Sequence, residues 1–425
     1  MWSAVFLVMF TTPILHADDL DREPINYKKA TAKNSVEDLQ LRLKQGKTKL
    51  AHTDDHGYLK AILKELDVPL SSQVLVFSKT SFQRERITPK TPRALYFNDD
   101  VYVGFCLRGD VLEFSAADTQ IGTAFYSLDQ DPNEPVKFIR QTDNCLTCHG
   151  STRTGGLPGH MIRSVFPDRL GMPILSAGSH QTDHSSPLNK RWGGWYVTGK
   201  HGKQEHLGNW VAENKRDPES EDRRANQNLT DLKPRFTVAN YLTPHSDIVA
   251  LMVMEHQAEM QNRIVRASIV TRQALYYQET LNRELGEKPN HVWESVNRRI
   301  NSACEELVQY LLMHEEVALT DRIVGSSDFS KEFAARGPFD SKKRSLRQFN
   351  LKTKLFEFPC SYQIYSRSFD GLPKEAKTVI YRKLHEVLNS AETPEGYEHL
   401  SKADRAAIRE ILLETKPEFA AYSRK

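Results

Sequence analysis

The residues with the clearest chemical meaning are Cys145 and Cys148, with His149 directly after the second. Two thiols three positions apart share one turn, so each can add to a vinyl group of haem. The adjacent imidazole then lies under the porphyrin with a nitrogen aimed at iron. The C-x-x-C-H sequence therefore predicts one covalent haem c, attached at Cys145 and Cys148 and ligated by His149. Three rival chemistries use similar residues. A thioredoxin-like redox pair opens a long helix, but GSTRTGGLPG follows here, and Gly150, Gly155, Gly156, Pro158 and Gly159 forbid one. A zinc site would need two further ligands among Cys304, Cys360 and the histidines, without a second close pair to supply them. A structural disulfide between Cys145 and Cys148 is the third.

The group opposite His149 on the iron would decide function. His160, His180, His184, His201 and His206 follow the motif, with Met161 and Met172 among them. His160 can wrap a porphyrin edge only if nearly all the intervening chain is used, and Met172 has the residue type of a high-potential electron carrier. A further candidate is His256. Val249, Met252, Val253, His256, Met260 and Ile264 recur by steps of three and four, which places one imidazole in a Met-rich apolar stripe. His256 is expected either as the axial ligand or distal group, or as a hydrogen-bonded histidine in an ordinary packing stripe. With an open sixth position, His256, or His160 with Arg163, would act on a bound small ligand. Trp192 and Trp195 in RWGGWYVTG either wall a haem edge or fill a core, with Gly193 and Gly194 permitting close backbone approach. Of the five cysteines, Cys106, Cys304 and Cys360 remain, read as buried thiols with a Cys304 to Cys360 bridge as the alternative. No phosphate loop, nucleophile elbow or zinc-protease motif appears.

These residues must be positioned by a chain of 425, long enough for two or three domains. Charged residues make up 27% and mean hydropathy is −0.56, which excludes a multi-span membrane protein. The net charge of +3 supplies no field for nucleic acid. Residues 1–17 have a signal-peptide outline, an apolar run with Ala17 at the expected cleavage point, so export to the periplasm or beyond is expected, leaving no integral membrane segment after removal. Residues 18–73 hold short helices, one entered by a capping box of Ser35 and Asp38 and one from Tyr58 to Leu66. Residues 74–212 are expected to form a β-rich haem-binding region, from the runs QVLVF, ALYF, VYVGFC, VLEFSA, TAFYSL and VKFI. Residues 213–236 read as a polar linker, and 237–425 as a helical region whose first helix is expected to start at Thr243 with Pro244 at its first position. The fold class is α+β, with a β-rich N-terminal half and a mainly helical C-terminal half.

The chain resembles exported bacterial c-type haem proteins of uncharacterised activity. The resemblance rests on NCLTCHG, PGHMIRSVFPD, RWGGWYVTG, PHSDIVALMVMEHQ, LFEFPCSYQIYS and DRAAIREILLETKP, and spans roughly residues 90 to 415. It implies covalent haem at Cys145 and Cys148 and iron ligation by His149, and nothing more residue by residue. The motif lies a third of the way along the chain, unlike that of a small cytochrome c. The expected function is one-electron transfer to an unspecified redox partner. A peroxidase-like haem oxidoreductase with an open sixth position and a haem-based gas or redox sensor are the alternatives.

Overall fold

The computed structural model describes residues 20–424. The expected signal peptide, residues 1–17, lies outside them. Two short helices lead: α1 (Ser35–Lys44) and α2 (Leu59–Glu65). Asn34 caps α1, its side chain accepting from the Val36 and Glu37 amides, so the cap falls one residue before the expected Ser35. Six strands follow: β1 (Val74–Val76), β2 (Arg93–Phe97), β3 (Val101–Phe105), β4 (Val111–Asp118), β5 (Gly122–Asp129) and β6 (Phe138–Gln141). They are the six runs read from the sequence, and each pairs antiparallel with the next.

The Cys145–His149 motif opens the next segment. Helix α3 (Leu146–His149) is a single turn ending at Gly150, after which the glycines and Pro158 keep the chain irregular. Strands β7 (Arg163–Val165) and β8 (Ser179–Gln181) pair as a small ribbon. Strand β9 (Trp195–Tyr196) then returns to β1 and completes a seven-stranded sheet of order β6-β5-β4-β3-β2-β1-β9. The tandem glycines make this return fit. The Gly193 amide donates to Ser164 Oγ, the Gly193 carbonyl accepts from Val165, and a Cβ at Gly193 would sit 2.2 Å from the Val165 carbonyl oxygen. Trp192 and Trp195 fill the core, the blander of their two readings.

Strand β10 (Gly199–Lys200) precedes residues 213–236, which run over the surface in short turns rather than as a loose tether. Leu232 and Phe236 are buried, and Glu221 accepts from the Trp210 indole. Helix α4 (Ile248–Leu285) is the main element of the second half. Its cap is Asp247, whose side chain accepts from the Val249 and Ala250 amides, so the helix starts later than Thr243. Gly286 ends it in the left-handed conformation that a glycine adopts without strain. Helix α5 (Glu294–Leu311), the short strand β11 (Val324–Gly325) paired with β10, and helices α6 (Phe329–Ala335), α7 (Arg367–Asp370), α8 (Lys374–Asn389), α9 (Lys402–Thr415) and α10 (Pro417–Ser423) complete the chain.

The sheet stands between two cores, one on each face. One sheet face, with Leu75, Tyr96, Val103, Leu112, Phe114, Tyr126 and Leu128, packs on Val36, Leu39, Leu59, Ile62 and Leu63 of α1 and α2. The opposite face presents Val74, Val76, Phe97 and Tyr102 to Ile248, Val249, Met252 and Val253 of α4. Alternation along each strand thus serves two cores, and at roughly 1.5–3 kcal/mol per fully buried apolar side chain neither half is dispensable to the other. The architecture is α+β as expected.

Candidate haem-attachment site

The register Tyr102↔Ser115↔Phe125 puts these three side chains on the α4-facing side of the sheet, and the motif segment lies against them. Near its β4 end this face is not fully covered: Arg93, Leu95, Glu113, Ser115 and Ser127 are half-buried, whereas their strand neighbours Ala94, Leu112, Phe114 and Tyr126 are buried on the other side. Arg93 and Glu113 form an ion pair there, and Gly104 leaves the room Arg93 needs to reach across β3. The sheet therefore offers a half-open platform beside α3.

On that platform Cys145 is half-buried and Cys148 exposed, both as free thiols one helical turn apart. Burial pushes the Cys145 thiol up to about 11, with the Glu113 carboxylate adding to it. The His149 ring packs on the Phe125 ring with centroids 4.8 Å apart. Its Nδ1 lies 2.9 Å from the Gly159 carbonyl oxygen, and the Gly159 amide donates in return to the His149 carbonyl at 2.9 Å. A carbonyl oxygen only accepts, so Nδ1 carries the proton. Burial lowers the His149 pKa, so the ring is neutral near pH 7 and Nε2 holds a lone pair. Among the described residues nothing donates to Nε2.

A metal-bound histidine usually gives its second ring N–H to a carbonyl or carboxylate, which fixes the tautomer and the ring plane. His149 has that arrangement. With two free thiols on one turn and a half-open platform alongside, the residues present fit a covalently held haem.

The structure gathers some of the expected site residues and separates others. His160 is brought close to His149, since it follows Gly159 directly. Its ring lies 4.6 Å from that of Tyr102, Nε2 is hydrogen-bonded to Ser115 Oγ, and Nδ1 is buried without a partner. Burial, with a smaller contribution from His149, pushes its pKa down to about 3. Arg163 stands near Cys148 and bonds Ser179 Oγ through Nε and Nη2. Met172 is exposed on the turn that follows β7.

His256 takes the second of its two expected settings, a hydrogen-bonded histidine in a packing stripe, and not that of an iron ligand. It is fully buried, its Nδ1 lies 2.8 Å from His184 Nδ1, and its Nε2 lies 2.7 Å from Ser361 Oγ. With both nitrogens engaged, it has none to offer iron. The apolar stripe is a packing stripe, and its one imidazole belongs to a buried polar cluster with His184, Tyr310 and Ser361. Beside it Glu255, also on α4, accepts from Thr182 and pairs with Arg191 at 3.4 Å. His201 and His206 pack on each other in a separate loop network.

Two residues of the site were not singled out from sequence: Gly159 beyond its role as a helix breaker, and Asn262, which bonds the backbone of His160. Asn262 is half-buried and lies off the apolar stripe of α4, about 120° around the helix from His256, so no local pattern marked it. Cys106, Cys304 and Cys360 are buried free thiols, as read, and no bridge joins the last two. No helix among the described residues is long and apolar enough to cross a membrane. Comparison with known proteins gave no matching family model, no matching curated protein and no matching solved structure.

Proposed function

We propose that this chain is an exported c-type cytochrome that holds one haem through thioether bonds to Cys145 and Cys148, uses His149 Nε2 as an iron ligand, and transfers single electrons. The observation that carries the reading is the bond from His149 Nδ1–H to the Gly159 carbonyl, which leaves a neutral imidazole with its Nε2 lone pair uncommitted beside two free thiols. Haem, when bound, supplies a one-electron iron couple. The chain does the rest. Phe125 and the reciprocal Gly159 bonds fix the imidazole plane, and the half-open sheet face leaves room beside it. The exposure of Thr147 and Cys148 leaves the attachment point at the surface, where an electron can pass to a partner without a substrate entering the protein. Export is part of the proposal because thioether attachment of haem takes place outside the bacterial cytoplasm.

A second reading is favoured by one specific observation. His256, the expected distal group, has both nitrogens occupied, which points toward an open sixth position and a peroxidase-like oxidoreductase. Replacing Cys145 and Cys148 together by alanine tests the attachment: haem staining on a denaturing gel is expected for the native chain and none for the variant. Staining that survives the double replacement would refute covalent attachment at these residues. The optical spectrum separates the two readings. A low-spin form indifferent to carbon monoxide supports electron transfer, and a high-spin ferric form whose reduced state binds carbon monoxide supports the open site.

A further inference from the structure

Asn262 lies on α4, far along the chain from the motif, yet its amide takes both backbone groups of His160. Oδ1 accepts from the His160 amide at 2.8 Å, and Nδ2 donates to the His160 carbonyl at 2.9 Å. The orientation of the amide is unambiguous. Nδ2 also donates to Glu259 Oε2 at 3.0 Å, and Glu259 is itself held by Arg263 at 2.7 Å, so a flipped amide would face two acceptors with its oxygen.

The His160 N–H and the Gly159 C=O belong to one peptide group. Asn262 Oδ1 therefore pulls on the N–H of the peptide whose oxygen receives the proton of His149 Nδ1. Hydrogen bonds in such a chain polarise one another, by roughly 10–30% per bond. An acceptor on the N–H side makes the carbonyl oxygen more negative and a stronger partner for Nδ1–H, and a stronger bond there makes Nε2 more electron-rich. Geometry adds to this. A Cβ on Gly159 would stand 2.5 Å from Asn262 Oδ1, so the close approach depends on the glycine.

We propose that Asn262 is a positioning residue that sets the donor strength of His149 through the Gly159–His160 peptide. This inference rests on the reading of His149 as the iron ligand, but its first measurement needs no haem.

In the haem-free full chain, the His149 Nδ1 proton is followed by nitrogen-correlated NMR in the native protein, in Asn262→Leu and in Asn262→Asp. The leucine variant removes the acceptor at similar volume. The aspartate variant keeps a side-chain oxygen to accept from the His160 amide. The expected result is an upfield shift and faster solvent exchange of that proton in Asn262→Leu, with return toward the native signal in Asn262→Asp. In the haem-loaded chain, Asn262→Leu is expected to keep covalent haem staining while its midpoint potential rises and its ferrous iron–histidine stretch falls, because a weaker donor favours reduced iron. Asn262→Asp should reverse both. A native Nδ1 proton signal in Asn262→Leu would overturn the proposal outright, as would unchanged potential and stretch in a stained variant. If Asn262→Leu does not fold, Asn262→Ala takes its place: an upfield-shifted, faster-exchanging Nδ1 proton upholds the proposal, and a native Nδ1 signal overturns it. Absence of staining in the native chain would instead sink the cytochrome reading, with the NMR result still deciding whether Asn262 controls the imidazole.

Discussion

The Nδ1 atoms of His184 and His256 face each other at 2.8 Å, and the hydrogen bonds around them decide which one carries the proton. His184 Nε2 lies 3.0 Å from the His314 carbonyl, which only accepts, so His184 is protonated at Nε2 and accepts at Nδ1. His256 must then donate from Nδ1 and accept from the Ser361 hydroxyl at Nε2. One directed chain of hydrogen bonds runs from Ser361 through both imidazoles to His314, tying the segment before β9 to α4 and to two turns of the C-terminal half.

Replacing His256 is expected to lower stability and, where the chain carries the proposed haem, to leave its spectrum unmoved. His256→Leu strands the Ser361 hydroxyl and His184 Nδ1 in the interior, at about 1–3 kcal/mol for each unsatisfied group. Denaturant unfolding of the loaded protein should show that loss with an unmoved Soret band. A displaced Soret band would return His256 to the iron.

The same pair confers acid sensitivity. Burial pushes the pKa of both imidazoles of this pair below the 6.5 of an unfolded chain. The unfolded chain therefore takes up protons that the folded one refuses, so this contribution is full above about pH 6.5 and is lost progressively as pH falls below it. His184→Leu removes both the contribution and its titration. Its thermal midpoint should lie well below that of the native chain at pH 7, and the gap should narrow by pH 4.5. A gap that stays constant with pH would show that the pair does not titrate on unfolding.

Thiol reactivity should follow burial. In the folded haem-free chain Cys148 is exposed, whereas burial pushes the Cys106 and Cys304 thiols up to about 12 and raises Cys360 as well. Iodoacetamide at pH 8 is expected to label Cys148 first and Cys145 more slowly, with the other three reacting only after denaturation. Mass spectrometry of the labelled peptides reads this directly, and early labelling of Cys304 or Cys360 would contradict the packing of α5 and α8.

Gly193 provides a backbone test. An added Cβ would meet the Val165 carbonyl oxygen at 2.2 Å and Ser164 Oγ at 3.0 Å. Gly193→Ala should cost about 1–3 kcal/mol by overpacking and disturb the crossing that carries the chain from β7 to β9. An unfolding free energy within error of the native value would show that the crossing can relax.

Local patterns were legible and long-range pairings were not. The six strand runs alternate or cluster β-formers between turn residues, and C-x-x-C-H is a five-residue signal, so both could be read without tertiary information. The role of His256 could not. Helical periodicity gives the buried face of α4, but two layers meet on that helix. His256 and Asn262 are six residues apart, about 9 Å along the axis and some 120° around it, so one joins His184 and Ser361 while the other reaches His160. The start of α4 was placed at Thr243 because Thr-Pro has the right composition for a cap; Asp247 wins because its carboxylate also accepts from the Ser326 and Ser327 amides, a contact made far along the chain. The pairing of β9 with β1 left no local trace either, since two residues carry too little pattern to name a partner.

The pairing of β9 with β1 also fixes the segment that carries Cys145, Cys148 and His149. β6 and β9 are anchored at opposite edges of one sheet, and the motif hangs between them. Once β9 is in place the segment is tethered at both ends. A single proteolytic cut within residues 213–236 would then leave the Cys145–His149 segment fixed to the N-terminal sheet, with the second half held against it by α4, by the Phe97–Phe329 ring contact and by the Arg347–Asp99 and Arg367–Asp38 ion pairs.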